Sequence, residues 1–574
     1  MTVPAAVRAA ALSWIAADPD DETRDELEGL LAAATAGDAV AATDLESRFG
    51  GRLEFGTAGL RAPMGAGPMR MNRLVVRQAA AGLARHLGPG ATVVIGFDAR
   101  HRSDVFAEDS ARVLAAAGCR VSRFATTVPT PVLAFAIRHL GADAGVMCTA
   151  SHNPRLDNGY KVYLGDGAQI IPPVDAEIAA AIDAVVAEET PIPLADPDDA
   201  AIDVLGDDVV DAYVRHAIWA DAGGAGGTSP VIVYTPMHGV GRTVARAVLA
   251  GSGFDRVLDV PAQAEPDPTF PTVAFPNPEE PGALDLAIAE ARRHGADVVL
   301  ANDPDADRLG VVVPVAPGDP FDDGSGWRIL TGNEIGAVLA EHVLGTTSGA
   351  DRLVVTTFVS SRLLARQAEH HGVHHAEVLT GFKWIVRPGL QRPDLRFVFG
   401  FEEALGFTVD PYVRDKDGIT AALAFARVQA AAGAAGRSIG DLLEELARRH
   451  GHHATRTWSA RFDGPDATAR MAGVVERWRA TPPTRLGDRD VVAVTDMALG
   501  GRLPPTDAVV VELEGDARVV LRPSGTEPKV KVYLEVVEAV ASGSDGYPEA
   551  VGQGRRTLDE LRDAVGSSLG LTAG

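Results

Sequence analysis

A serine hydroxyl stands at the exit of an apolar run, Ala144 to Cys148, in the segment Thr149-Ala150-Ser151-His152-Asn153-Pro154. The carboxyl end of a buried strand is where α/β folds present their chemistry, so Ser151 is a candidate nucleophile or phosphate carrier. Asp157-Asn158-Gly159-Tyr160-Lys161 follows, read as a tight turn and then a cationic or proton-transferring group ten residues beyond the serine. By itself the stretch is equally an Asn-Pro turn with a hydroxyl bonding its own backbone. A second constellation decides between these readings. Asp303-Pro304-Asp305-Ala306-Asp307-Arg308 closely follows the strand pattern Asp297 to Leu300, and three carboxylates at alternate positions can converge on one hard cation. A calcium loop needs Gly at its sixth position and Glu at its twelfth; those positions hold Arg308 and Pro314. Three carboxylates leave room for water or phosphate on the metal, which suits Mg²⁺.

Two further segments complete a set. Gly400-Phe401-Glu402-Glu403-Ala404-Leu405-Gly406 puts paired acids in a Gly-bounded loop after the strand Arg396 to Phe399. Arg522-Pro523-Ser524-Gly525-Thr526-Glu527-Pro528-Lys529 gathers an Arg, two hydroxyls and a Gly into a short turn. Acids can hold sugar hydroxyls, while a guanidinium fork beside the exposed N–H groups of a Gly turn can hold phosphate. Either segment seen singly is also a plain surface turn. The lysines add weight. The chain has five, Lys161, Lys383, Lys416, Lys529 and Lys531, among 53 basic residues, and each lies inside or beside a segment already singled out. Base-composition bias accounts for their scarcity but would scatter the survivors. Lysine exchanges a proton where arginine practically cannot, so Lys161 and Lys416 are the acid/base candidates. Lys383 suits a phosphate or a sugar hydroxyl. Lys529 and Lys531 support the Arg522 turn, although Lys531 also fits the solvent face of a strand.

His152 beside Ser151 invites a hydrolase reading. Neighbouring side chains in an extended segment point apart, so His152 and Asn153 are expected to order the loop instead. His101 and His238 lie in strand-end segments and fit structural hydrogen bonding equally well. No Gly-Lys-Ser/Thr occurs, which disfavours a Walker-type ATPase.

The elements that must position these groups alternate. Short β runs such as Thr92 to Phe97, Arg120 to Phe124 and Val231 to Tyr234 are separated by amphipathic helical patterns, for example Val105 to Ala117, which implies mostly parallel sheets. Residues 1 to 48 read as a helical extension. A helix is expected at Asp466 to Ala480, then strands including Ala508 to Leu513 and Arg518 to Leu521, and a final helix after Thr557. The Gly-rich stretch Asp221 to Ser229 reads as a loop or a boundary. At 574 residues the chain is too long for one core. Its net charge of −25 argues against nucleic acid or anionic membrane as partner. Two cysteines, Cys119 and Cys148, give no disulfide framework, and no apolar run reaches spanning length; a cytoplasmic protein is expected.

Together with Phe55-Gly56-Thr57-Ala58-Gly59-Leu60-Arg61, the Ser151, triple-Asp, Glu402-Glu403 and Arg522 segments occur in the order found in the α-D-phosphohexomutase superfamily. The chain resembles it from about residue 50 to near the C-terminus, most of all in its long-chain phosphoglucomutase and phosphopentomutase branch. Thr380-Gly381-Phe382-Lys383-Trp384 and Arg414-Asp415-Lys416-Asp417-Gly418 support the likeness. The resemblance implies an α/β fold of three related mixed α/β domains plus a C-terminal α+β domain around a central cleft. The corresponding limits are an extension at 1–48, a phosphoserine domain at 49–205, a metal-binding domain at 206–325, a sugar-binding domain at 326–455 and a phosphate-clamp domain at 456–574.

The resemblance further implies a phospho-sugar mutase that interconverts glucose 1-phosphate and glucose 6-phosphate through a phosphoserine and a bisphosphorylated sugar. Pentose phosphates (ribose or deoxyribose) and mannose phosphates are the alternative substrates. Ser151, Asp303, Asp305 and Asp307 would hold one Mg²⁺ per chain, and Arg61 and Arg308 would neutralise phosphate charge. Lys161 and Lys416 would handle the hydroxyl proton. Thr380, Gly381, Lys383, Glu402 and Glu403 would hold the sugar, and Arg522, Ser524, Gly525 and Thr526 the distal phosphate. Glucose 1,6-bisphosphate is the implied activator; the partners are small sugar phosphates, and the oligomeric state is left open. Glucose-specific relatives typically read Gly-Glu-Glu-Ser where this chain has Phe401-Glu402-Glu403-Ala404. One hydroxyl is therefore missing and an aromatic stands in place of Gly, which predicts relaxed discrimination between hexose and pentose. A metal-dependent sugar-phosphate phosphatase and a catalytically idle sensor are the rivals; the separate distal clamp argues against the former, and the intact serine, metal loop and lysines against the latter.

Overall fold

A computed structural model of the chain describes residues 3–188, 190–220, 229–462, 466–523 and 529–570. The Gly-rich stretch 221–228 and Ser524, Gly525 and Thr526 lie outside the described residues. The chain forms two compact units. One takes the residues up to 311 together with Gly406–Ala426, and the other takes Val312–Leu405 and the residues from Arg427 on.

The first unit opens with three helices, Ala5–Ala17, Asp21–Thr35 and Ala39–Phe49. Asp20 and Asp38 cap the second and third by accepting the N–H groups of Glu22 and of Val40 and Ala41, which satisfies donors that have no partner inside a helix. Leu27, Leu31, Ala34 and Leu45 form the small core between them. A six-stranded sheet follows in the order Leu60–Pro63, Asp157–Leu164, Ala144–Cys148, Thr92–Phe97, Arg120–Phe124, Ile202–Leu205. Its central strands are parallel, with Val94 opposite both Ser122 and Gly145; Thr92–Phe97 and Ala144–Cys148 are buried on both faces, which is why they read as continuous apolar runs. The edge is antiparallel: Asp157–Leu164 pairs with both Ala144–Cys148 and Leu60–Pro63. Asp157 to Lys161, expected as a turn, is thus the start of a strand, and the turn falls earlier. Three parallel strands, Ile232–Thr235, Val257–Asp259 and Val298–Ala301, build the next layer.

In the second unit, parallel strands Arg352–Thr357, His374–Val378 and Arg396–Glu402 are accompanied by helices Gly332–Thr346 and Leu363–His370. Beyond them lies an antiparallel sheet in which Ala517–Pro523 pairs with Val509–Leu513 and with Lys529–Glu538. One face packs Val511, Val519, Leu521 and Val532 against Trp478 and Leu561 of helices Ala467–Ala480 and Gly546–Leu569. The last helix begins eleven residues before Thr557, where it was expected to start. Pro548 lies in its first turn, where the missing N–H has no intrahelical partner to lose. Gly554 lets the helix approach the sheet: a Cβ there would stand 2.9 Å from that of Ala454. The architecture is the expected one, mixed α/β domains followed by a C-terminal α+β domain. Among the described residues no single helix is long and apolar enough to cross a membrane.

Candidate active site

Ser151 leaves strand Ala144–Cys148 with a φ of +51°, a left-handed conformation that a serine adopts only when its surroundings impose it. Its N–H donates to Thr149 Oγ1 at 2.9 Å, and Thr149 Oγ1 donates to Asp98 Oδ2 at 2.6 Å. The side chain is buried, and its Oγ donates to Asp303 Oδ2 at 2.7 Å. The left-handed turn overturns one expectation: the side chains of residues 151 and 152 do not point apart, and His152 Nδ1 lies 3.3 Å from Ser151 Oγ. Burial, Arg308 and Arg61 push the His152 imidazole well below its ordinary value, so it is neutral at pH 7. Asn153 Oδ1 accepts from Arg61 Nη1 at 2.9 Å, which ties strand Leu60–Pro63 to the serine loop. Gly159, where that loop re-enters the sheet, has no room for a side chain: a Cβ would meet the carbonyl oxygens of Thr149 at 2.6 Å and Leu60 at 2.8 Å.

The aspartate loop leaves strand Val298–Ala301 with Ala306 at a φ of +56°. Asp303, Asp305 and Asp307 are completely buried, and one carboxylate oxygen of each lies within 4.8 Å of the others. Lys161, opposite Met147 on its strand, donates from Nζ to Asp305 Oδ2 at 2.7 Å and to Asp307 Oδ2 at 2.9 Å. Lys416 Nζ is 3.2 Å from Asp307 Oδ2, and Arg308 Nε is 3.9 Å from Asp303 Oδ2 and 3.8 Å from Asp307 Oδ1. Burial would lower the Lys161 ammonium, but Asp305 and Asp307 outweigh it and raise its pKa. Burial and the two neighbouring carboxylates push Asp303 well above the ordinary range. Burial acts the same way on Asp307, yet Lys161, Lys416 and Arg308 together hold it below its ordinary value.

These carboxylates fit a divalent cation. Asp305 Oδ1 and Asp307 Oδ1 are buried with no hydrogen-bond partner among the described residues, and an unsatisfied buried carboxylate oxygen is costly unless an ion takes it up. Oxygen donors at alternate positions of one loop suit a hard cation.

Lys416 is delivered by packing rather than by a strand end. Asp415 Oδ2 accepts from Tyr163 OH and Gln169 Nε2, each at 2.7 Å. Asp417 accepts from Tyr213 OH at 2.9 Å and from the N–H groups of Ile419 and Thr420 at 3.0 Å. Gly418 lies against the aspartate loop so closely that a Cβ would meet the Arg308 carbonyl oxygen at 2.2 Å. The first unit therefore brings Arg61, Ser151, His152, Asn153, Lys161, Arg308, Lys416 and the three aspartates into one cluster. Asp98, Arg100, Thr130, Tyr163 and Tyr213 also support it and escaped the sequence reading. Thr130 Oγ1 donates to Asp305 Oδ2 at 2.6 Å. The available signal was the polar segment Asp98-Ala99-Arg100, which follows strand Thr92–Phe97 as the serine segment follows its own strand.

The second unit gathers a different set. Glu402 ends strand Arg396–Glu402 instead of starting a loop. Glu403 Oε2 accepts from Ser360 Oγ at 2.9 Å and Thr357 Oγ1 at 3.2 Å. Phe401 is buried against Gly336, so the aromatic that replaces Gly in the acidic segment fills the core and is not a sugar contact. Arg522 sits within strand Ala517–Pro523, not in a turn, and its charge acts on Tyr533, whose phenol burial and Glu403 push upward against it. Tyr533 packs with Phe358 and Leu379, and Trp384 lies against the same cluster, which places Thr380, Gly381 and half-buried Lys383 beside it. Arg522 stands directly opposite Lys531, so the two basic residues share one face of the sheet with Tyr533.

Four family models match in order: the phosphoglucomutase/phosphomannomutase α/β/α domains I, II and III at residues 52–189, 211–316 and 331–450, and the C-terminal domain at 482–542. A "Probable phosphomannomutase" of Haemophilus influenzae is 42% identical over 81% of this chain and 93% of its own. A "Probable phosphoribomutase" of Schizosaccharomyces pombe is 37% identical over 91% and 92%, and a "Phosphoglucomutase" of Staphylococcus epidermidis 34% identical over 84% and 90%. The chain belongs to the phosphoglucomutase/phosphomannomutase family, within the α-D-phosphohexomutase superfamily. It is an enzyme of the intramolecular phosphotransferase kind.

Proposed function

We propose that this protein interconverts glucose 1-phosphate and glucose 6-phosphate by way of phospho-Ser151 and glucose 1,6-bisphosphate, and that pentose 1-phosphates are substantial second substrates. The observation that carries this reading is Ser151 Oγ at 2.7 Å from Asp303, inside a buried aspartate cluster with two carboxylate oxygens lacking hydrogen-bond partners. A phosphorylated Ser151 gives its phosphoryl group to a hydroxyl of the sugar monophosphate, and the bisphosphate then returns its other phosphoryl group to the serine. Phosphoryl transfer depends mainly on positioning and on neutralising the equatorial oxygens. Asp303, Asp305 and Asp307 would hold Mg²⁺, which supplies that neutralisation when bound. Arg61 and Arg308 add fixed positive charge. Lys161 and Lys416 would handle the proton of the reacting hydroxyl, Lys161 entering the reaction as the ammonium that Asp305 and Asp307 hold. Glu402 and Glu403 hold sugar hydroxyls, and Arg522 holds the phosphate that is not reacting. Incubation with glucose 1-phosphate, Mg²⁺ and a trace of glucose 1,6-bisphosphate tests the reading: glucose 6-phosphate is expected, whereas free phosphate would mean a phosphatase.

Arg522→Ala is expected to raise KM for either monophosphate ~10–100-fold, because a charge-assisted hydrogen bond contributes about 1.5–3 kcal/mol. Phosphorylation of Ser151 should survive better than turnover. Equal loss of both would move Arg522 to the reacting phosphate.

Relaxed sugar choice follows from Ala404, which lacks the hydroxyl of the glucose-specific pattern. A neutral hydrogen bond contributes about 0.5–1.5 kcal/mol, enough to blur discrimination without excluding a hexose. Among the 1-phosphates, kcat/KM is expected to be highest for glucose, slightly lower for ribose and lowest for mannose. A mannose value above the other two would refute this account of the acidic segment.

A further inference from the structure

Ser151 holds a disfavoured backbone conformation, and the groups that impose it converge on Arg100. This buried guanidinium donates from Nη2 to the carbonyl oxygens of Ser151 at 2.6 Å and Asn153 at 2.5 Å, and from Nη1 to those of Pro154 at 2.9 Å and Asp157 at 3.0 Å. Four carbonyls spread over seven residues are drawn toward one planar cation, which curls the loop around it. The Ser151 peptide is pinned from the other side as well. Asp98 receives the Thr149 and Ser103 hydroxyls at 2.6 and 2.7 Å and the Arg100 N–H at 3.0 Å, while Thr149 Oγ1 receives the Ser151 N–H.

Arg100 is itself fixed. Asp98 Oδ2 lies 3.5 Å from its Nε, and the Phe270 ring covers it with 5.0 Å from guanidinium carbon to ring centroid, a cation–π distance. Phe270 is buried and has a φ of +45°; a second strained residue thus backs the first. Two residues on, Arg102 pairs with Asp20 and Glu22, so the N-terminal helices, which lie outside the matched family segments, hold the same turn.

We propose that Arg100 is the positioning residue of the Ser151 loop: it keeps the serine left-handed so that Oγ points at Asp303, with Phe270 holding the guanidinium in place. This rests on Ser151 being the phosphate carrier. The guanidinium fork is essential because a lysine ammonium is a point donor that cannot serve four carbonyls in one plane. A displacement of about 1 Å at a reacting atom can cost ~100-fold in rate.

The test uses the full-length chain with glucose 1-phosphate, glucose 1,6-bisphosphate and Mg²⁺. Arg100→Lys is expected to lower kcat ~10–100-fold per folded molecule with KM changed less than ~3-fold, and to slow single-turnover phosphorylation of Ser151 by the bisphosphate to the same extent. Should Arg100→Lys fold poorly, Phe270→Leu keeps an apolar plug without the ring face and is expected to lower kcat ~3–10-fold at unchanged KM. Peptide mapping of the wild type separates the two ideas. Phosphate on a residue other than Ser151 removes the carrier and this proposal with it. Phosphate on Ser151, with either variant well folded and its kcat within twofold of wild type, overturns the role of Arg100 alone. A loss of activity that tracks only the loss of folded protein overturns it equally.

Discussion

Ser151→Ala is expected to abolish mutase turnover, lowering kcat by ~10⁴-fold or more, the scale on which a covalent carrier matters. Stability should change little by comparison. The substitution removes the hydrogen bond from Ser151 Oγ to Asp303 at 2.7 Å and the longer one with His152 Nδ1 at 3.3 Å; a hydrogen bond to a charged group contributes roughly 1.5–3 kcal/mol and a neutral one about 0.5–1.5 kcal/mol. Alanine tolerates the φ of +51° no better than serine, so backbone strain is unchanged, and the melting temperature should fall by only a few degrees. Two measurements check this: steady-state turnover beside a thermal melt, and phosphopeptide mapping of wild type after exposure to the bisphosphate. Full activity in the alanine variant would end the phosphoserine mechanism.

The second large effect is expected on removing the metal. Dialysis against a chelator should abolish turnover, and added Mg²⁺ should restore it. Binding alone gives a readout independent of activity: a ligand at 100 times its Kd stabilises the folded state by about 2.7 kcal/mol, so wild type should melt several degrees higher in excess Mg²⁺. Asp305→Asn should remove most of that increment and lower kcat/KM at least ~10-fold, with only partial rescue by excess Mg²⁺, because one anionic oxygen is lost from three. The asparagine oxygen can still accept from Thr130 and Lys161, which reach Asp305 Oδ2 at 2.6 and 2.7 Å, so the variant should fold. A chelated wild type that works as well as the metal-loaded one would remove the cation from the site.

Much of this site is visible before folding because it is written in local pattern. An apolar run ended by Ser151, another ended by Asp303, and carboxylates at alternate positions all follow from strand period and strand-end placement, which depend on neighbours a few residues apart. Alternation of β runs with amphipathic helices announces the parallel sheets in the same way. The helical reading of the N-terminus also holds, since Asp20 and Asp38 cap helices that the apolar spacing marks.

What only the tertiary structure decides is which of these local features meet. Ser151 and Asp303 are 152 positions apart, and their contact follows from how the elements that carry the two loops pack, not from either segment. Lys416 reaches Asp307 only because Tyr163, Tyr213 and the missing Cβ of Gly418 fix its loop. The left-handed turn at Ser151 is invisible in sequence because serine does not favour it; Asp98 and Arg100 impose it through hydrogen bonds. Phe401 faces the core and Arg522 lies in a strand for the same reason. Short-range preferences set period and turn, whereas burial of apolar faces and satisfaction of buried polar groups, which are properties of the whole packed chain, choose direction and partner.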